Sequence, residues 1–155
     1  MTTLADLHQA VHDALASGRL GTPVFVRYHG QAAARTRLVP QLARMAAAAR
    51  DWLAQDLQRI HALGSVAAGA VSATLEFKGG ATAVVSAATA PGRQSLVDIL
   101  VLGNRGALCH DAGHTLIGGT SPAQPDPPPE PRLLAAIQKA IRSGKVEPAG
   151  KAAIP

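Results

Sequence analysis

The segment from Gly69 to Asp111 holds the feature that most constrains this chain, a closely spaced series of strand signals. Val71, Ala73, Leu75 and Phe77 alternate with Ser72, Thr74 and Glu76, and the run ends at Lys78-Gly79-Gly80. A period of two followed by a Gly-Gly turn is the signature of a β-hairpin. A third run follows Pro91-Gly92, from Ser95 to Leu102, and a short fourth follows Gly103-Asn104-Arg105-Gly106. Strands that follow one another through tight turns pair antiparallel. In the third run, Leu96, Leu100 and Leu102 alternate with Val97, Ile99 and Val101, so that strand is apolar on both sides. A strand of that kind is buried on both faces.

Helical signals flank this sheet. Leu4, Leu7, Val11 and Leu15 form a stripe after a Thr2 or Thr3 cap, and Gly18 and Gly21 end that helix. A strand from Val24 to His29 and a turn at Gly30 to Ala34 come next. An Ala-rich helix from about Thr36 to Gln55 then carries Leu38, Leu42, Met45, Ala49, Trp52 and Leu53 on one side. Pro40 falls in its first turn, where proline is tolerated. Ile60 to Leu63 reads as a short strand. The predicted organisation is an α+β domain over residues 1–117, with an open, mainly antiparallel sheet of five to six strands and helices on one face. A Pro-rich linker at 118–131, a helix at 132–144 that packs back, and a flexible tail at 145–155 complete it.

Composition narrows the function. Apolar residues make up 47% of the 155 but aromatics only 3%, so the core rests on Ala, Val, Leu and Ile. The net charge of +5 comes from arginines spread along the chain, with no interleaved aromatics to stack bases, which argues against nucleic-acid binding. No apolar run approaches the ~18 residues that cross a bilayer, and the N-terminus lacks the features of a signal peptide. The expectation is a cytoplasmic protein. The lone Cys109 excludes an internal disulfide and is expected to be a small buried residue.

Ligand-type side chains concentrate only in CHDAGH, where His110, Asp111 and His114 offer metal ligands. Imidazole also serves as an axial haem ligand. A bare Asp-Ala-Gly turn accounts for the same residues, and a full zinc shell would have to recruit His29 or His61. No cofactor is predicted, with metal or haem as the alternative. His8 and His12 share a helix face beside the Leu7–Val11 stripe and read as boundary residues. No Gly-x-Ser-x-Gly elbow is present, and Glu76 and Asp98 read as strand surface.

Several phrases, taken in order, resemble the C-terminal domain of the Gfo/Idh/MocA oxidoreductases. They are LHQAVHDALASGRLGTPVFVRY, ARDWLAQDLQRIHALGS, VSATLEFKGGATAVVSAAT, VDILVLGNRGALCHD and LLAAIQKAIRSGKVEP. The departures from the family are informative. No Gly-x-Gly-x-x-Gly turn and no Glu-Lys-Pro segment occur. The Asp and His that sugar-oxidising members carry on the long helix fall near Leu42 and Ala46. The resemblance therefore implies a stand-alone domain without catalytic or cofactor-binding residues, more a binding or assembly module than an enzyme. It also implies a homodimer through the sheet face, with Leu96, Asp98, Leu100 and Leu102 in the interface. A separate Rossmann-domain oxidoreductase is a further partner it admits. The alternative function is a metal- or haem-binding protein using His110, Asp111 and His114.

Overall fold

The structure is a computed structural model and describes residues 4–32, 34–89, 96–111 and 128–149. Chain order is α1 (Leu4–Ala16), β1 (Pro23–Ala32), a 3-10 turn (Arg35–Arg37), α2 (Leu38–Leu53), β2 (Leu57–Ser65), β3 (Ala70–Phe77), β4 (Thr82–Thr89), β5 (Val97–Gly103), β6 (Ala107–His110), α3 (Pro131–Ser143) and β7 (Glu147–Pro148). The strands form a single sheet in the order β6-β5-β1-β4-β3-β2-β7. Every pairing is antiparallel except β1 with β4. The fold is α+β, an open and mostly antiparallel sheet with three helices packed on one face.

Local sequence explains most boundaries. Gly80 takes φ +88 in the β3–β4 turn, a conformation that only glycine adopts freely. Its N–H donates to the Phe77 carbonyl at 3.0 Å. Proline opens α3, and Gly144 closes it in the left-handed region with its N–H donating to the Ala140 carbonyl. Ala-rich α2 begins later than its composition suggests, because Arg35–Arg37 form a 3-10 turn ahead of it. Val26 and Tyr28 of β1, Ala83 and Val85 of β4, Val71, Ala73, Leu75 and Phe77 of β3 and Ile60 of β2 build the core with Leu38, Leu42, Ala46 and Ala49 of α2. Ala43, Ala46 and Ala49 are interspersed with larger residues on α2's buried side.

Four expectations need correction. β1 does not turn at Gly30 but runs to Ala32, because it is held on both sides, by β4 and β5. β2 spans nine residues and not four, since its whole length pairs with β3. The sheet has seven strands, because 145–149 is not all frayed tail: Glu147 and Pro148 pair with Ile60 and Arg59, and the Ala149 N–H donates to the Gln58 carbonyl. Cys109 is exposed and not buried, since it pairs with Leu100 on the side of the sheet away from the helices. Residues 118–127 of the expected linker lie outside the described residues.

α3 docks through Leu133, Ile137 and Ala140, which are buried against α2 and β2. Burying a side chain such as Ile137 contributes about 1.5–3 kcal/mol relative to leaving it in water. Among the described residues no helix is long and apolar enough to cross a membrane.

Candidate functional site

Strand alternation sorts the side chains into two faces. The helix-facing set is mostly buried, whereas the opposite face is not covered by any described helix. Register fixes what that open face displays. One row runs Asp98, His29, Ser86, Ser72 and Leu63 across β5, β1, β4, β3 and β2. The next runs Cys109, Leu100, Arg27, Val84, Thr74 and His61, starting from β6. A third carries Leu102, Phe25, Thr82, Glu76 and Arg59. Leu96 precedes β5 with the same parity, and its carbonyl accepts from the Gln31 N–H at 3.0 Å.

The expected interface residues Leu96, Asp98, Leu100 and Leu102 thus stand together on one partly buried, uncovered strip. Phe25 and Val84 belong to the same patch, and alternation alone did not place them there. Their membership depends on β1 lying between β4 and β5, a tertiary fact. Charge sits toward the β2 side, where Arg59 and Glu76 pair at 2.8 Å. Arg27, in the middle, makes no ion pair among the described residues. Small hydroxyl side chains at Ser72, Ser86, Thr74 and Thr82 keep the centre of the face low.

The helix positions suggested for an acid–base pair are structural. Leu42 and Ala46 are 0% and 1% exposed, facing the sheet. Among the described residues no charged side chain is fully buried.

Of the expected metal-type residues, His110 and Asp111 are described and adjacent at the end of β6. His110 is opposite Ile99 and so faces the helices, partly buried, while Asp111 is exposed just past the strand end. His114 lies outside the described residues. His29 sits two strands away on the other face, and His61 is five strand steps from β6, about 24 Å at the usual spacing. Neither completes a shell with His110. Among the described residues no group of three or more His, Cys, Asp or Glu side chains comes together.

His8 is a half-buried boundary residue, as expected, and it has specific partners. Its Nε2 lies 3.0 Å from the Tyr28 hydroxyl, and its ring meets Tyr28 and Trp52 edge-on at 5.9 and 5.2 Å. Tyr28 and Trp52 stack at 5.6 Å. Burial, and then the charge of His12, push the His8 pKa below the ordinary histidine value. The i, i+4 histidine spacing was visible in the sequence, but the aromatic partners on β1 and α2 were not.

The sequence matches no protein-family model, and no curated protein matches it. Solved structures do match. The myo-inositol dehydrogenase of Lactobacillus casei, in complex with NAD(H) and myo-inositol, superposes with a TM-score of 0.71 at 15% identity, covering 96% of this chain and 60% of that one. The myo-inositol dehydrogenase of Corynebacterium glutamicum gives 0.70 at 12%, covering 94% and 62%. A probable dehydrogenase of Thermotoga maritima gives 0.58 at 18%, covering 67% and 38%. The chain therefore spans less than two thirds of the length of these dehydrogenases and shares the fold of that part of them.

Proposed function

We propose that this chain is a non-catalytic assembly module of the inositol-dehydrogenase type, working as a homodimer closed through its open sheet face. One observation carries the reading: an uncovered sheet face that holds Phe25, Val84, Leu100 and Leu102 around Arg27, with the Arg59–Glu76 pair toward the β2 side and Asp98 on β5. A monomer seldom leaves such a patch to water. A second copy rotated by a two-fold axis supplies a matching flat face. It also brings carboxylates, Glu76 and Asp98, within the surface that meets Arg27. The partnership with a separately encoded Rossmann-domain oxidoreductase rests on the family resemblance and on the fraction of the dehydrogenases' length that this fold represents. Absence of catalysis is supported by Leu42 and Ala46, which offer no proton to move, and by the lack of a Gly-x-Gly-x-x-Gly turn in these 155 residues.

The test is the solution mass. Sedimentation or light scattering should return twice the 15.8 kDa protomer, and Leu100→Arg should return the protomer alone. Burial of an unpaired charge there would cost several kcal/mol. A monomeric wild type, or a Leu100→Arg dimer, overturns the interface. Oxidation of an inositol with NAD(H) by this chain alone overturns the non-catalytic half. Stoichiometric metal or a haem absorption band in the same sample would favour the reading built on His110, Asp111 and His114.

A further inference from the structure

We propose that helix α1 is a pH-gated flap, which protonation of His8 releases from the sheet to uncover Tyr28 and Trp52 while the rest of the domain stays folded. This lies on the opposite face from the proposed dimer surface and does not depend on it. α1 is lightly anchored. Only Val11 of its thirteen residues is fully buried, whereas α2 buries eight of sixteen. A cleft of about 180 Å³ separates its Leu7–Val11 side from Ile99, Leu108 and His110. Side chains along that cleft forgo part of their dispersion contacts. Elements held so loosely are the ones that open locally, below the free energy of global unfolding.

His8 is the helix's polar anchor. With the imidazole neutral, Nε2 accepts the Tyr28 hydroxyl proton across 3.0 Å, and the ring fills the corner made by Tyr28 and Trp52. Protonation turns Nε2 into a donor, so the Tyr28 hydroxyl loses this acceptor and a charge appears among aromatic rings. No negatively charged group is among the described side chains that meet the ring. β1 presents the Tyr28 phenol, α2 presents the Trp52 indole, and α1 itself presents the exposed His12 one turn on, whose charge disfavours a charged His8. Like charges four residues apart on a helix repel. The docked helix prefers the neutral form, so the released state binds the extra proton. Docking is therefore complete above the ordinary histidine pKa of about 6.5 and weakens as pH falls through it.

Trp52 is the chain's one tryptophan, so its emission reports on the flap directly. Acrylamide quenching of Trp52 in the full chain should rise several-fold between pH 7.5 and pH 5, while the far-UV circular dichroism loses no more than the share of one helix. His8→Phe keeps a ring in the corner but carries no charge, and should abolish the rise. His8→Gln, which keeps a hydrogen-bonding head at Tyr28, should do the same, and serves if the phenylalanine variant does not fold. Trp52 remaining equally shielded at pH 5 overturns the proposal, as does an undiminished rise in both variants. Loss of the strand signal together with shielding also overturns it, because that marks unfolding of the whole chain.

Discussion

Single residues in this domain are constrained most by how closely backbone segments approach. Gly103 shows it best. The β5–β6 turn is stitched to the segment after α1: the Arg105 N–H donates to the Leu20 carbonyl at 3.1 Å, the Asn104 N–H to the Thr22 carbonyl at 3.0 Å, and the Thr22 N–H to Asn104 Oδ1 at 2.9 Å. A Cβ on Gly103 would collide with the Leu20 carbonyl oxygen, which is backbone and already engaged. Neither segment can yield without breaking these bonds. Gly103→Ala should therefore destabilise by about 1–3 kcal/mol, as overpacking does, which lowers Tm by roughly 3–10 °C in a chain of this size. Thermal unfolding checks it, and an unchanged Tm would show that the two segments are not held together.

At the scale of elements, the weakest strand is kept in place by a charge. β7 has only two residues, too few to hold by ladder bonds alone. Glu147 is 13% exposed and pairs with Lys139 of α3, so helix and strand are fastened to each other. Hydrogen bonds from Lys139 and Ser143 pull the Glu147 pKa below the ordinary glutamate value, against the opposing effect of burial. A carboxylate with a depressed pKa contributes stability that is present above its unfolded value and lost as pH falls through the folded one. Protection of the Ile60 and Ala149 amides, measured against their intrinsic exchange rates, should accordingly fall once pH drops below about 4.5, and Glu147→Gln should show that lower protection already at neutral pH. Equal exchange in both proteins would mean that the charge does not hold β7. This strand was illegible in the sequence because KVEP has no alternation to read; its place is set by a partner on α3 and by β2. The hairpin of β3 and β4 was legible because period and turn chemistry agree locally. The position of β1 in the middle of the sheet was not, since parallel pairing with β4 leaves no mark in either strand's own pattern. For the same reason the strip at Leu100 and Leu102 could be read from one strand, while Phe25 and Val84, which widen it, could not.

At the scale of the whole molecule, the two faces of the sheet divide the labour. One carries the helices and the core; the other is left for an external surface. Cys109 provides an internal reporter for that second face. It is exposed in the protomer and lies directly across from Leu100, at a strand neighbour distance of about 5 Å. A face-to-face dimer that covers Leu100 must cover Cys109 too, and the protection must follow mass action, growing with protein concentration. Reaction of the thiol with an aromatic disulfide reagent should be slow at high protein concentration, speed up on dilution, and be fast at every concentration in Leu100→Arg, with a difference on the order of tenfold between bound and free forms. A rate that is the same in both proteins and indifferent to concentration would leave Cys109 outside any interface, and would require the copies to meet through some other surface than the strip beside it.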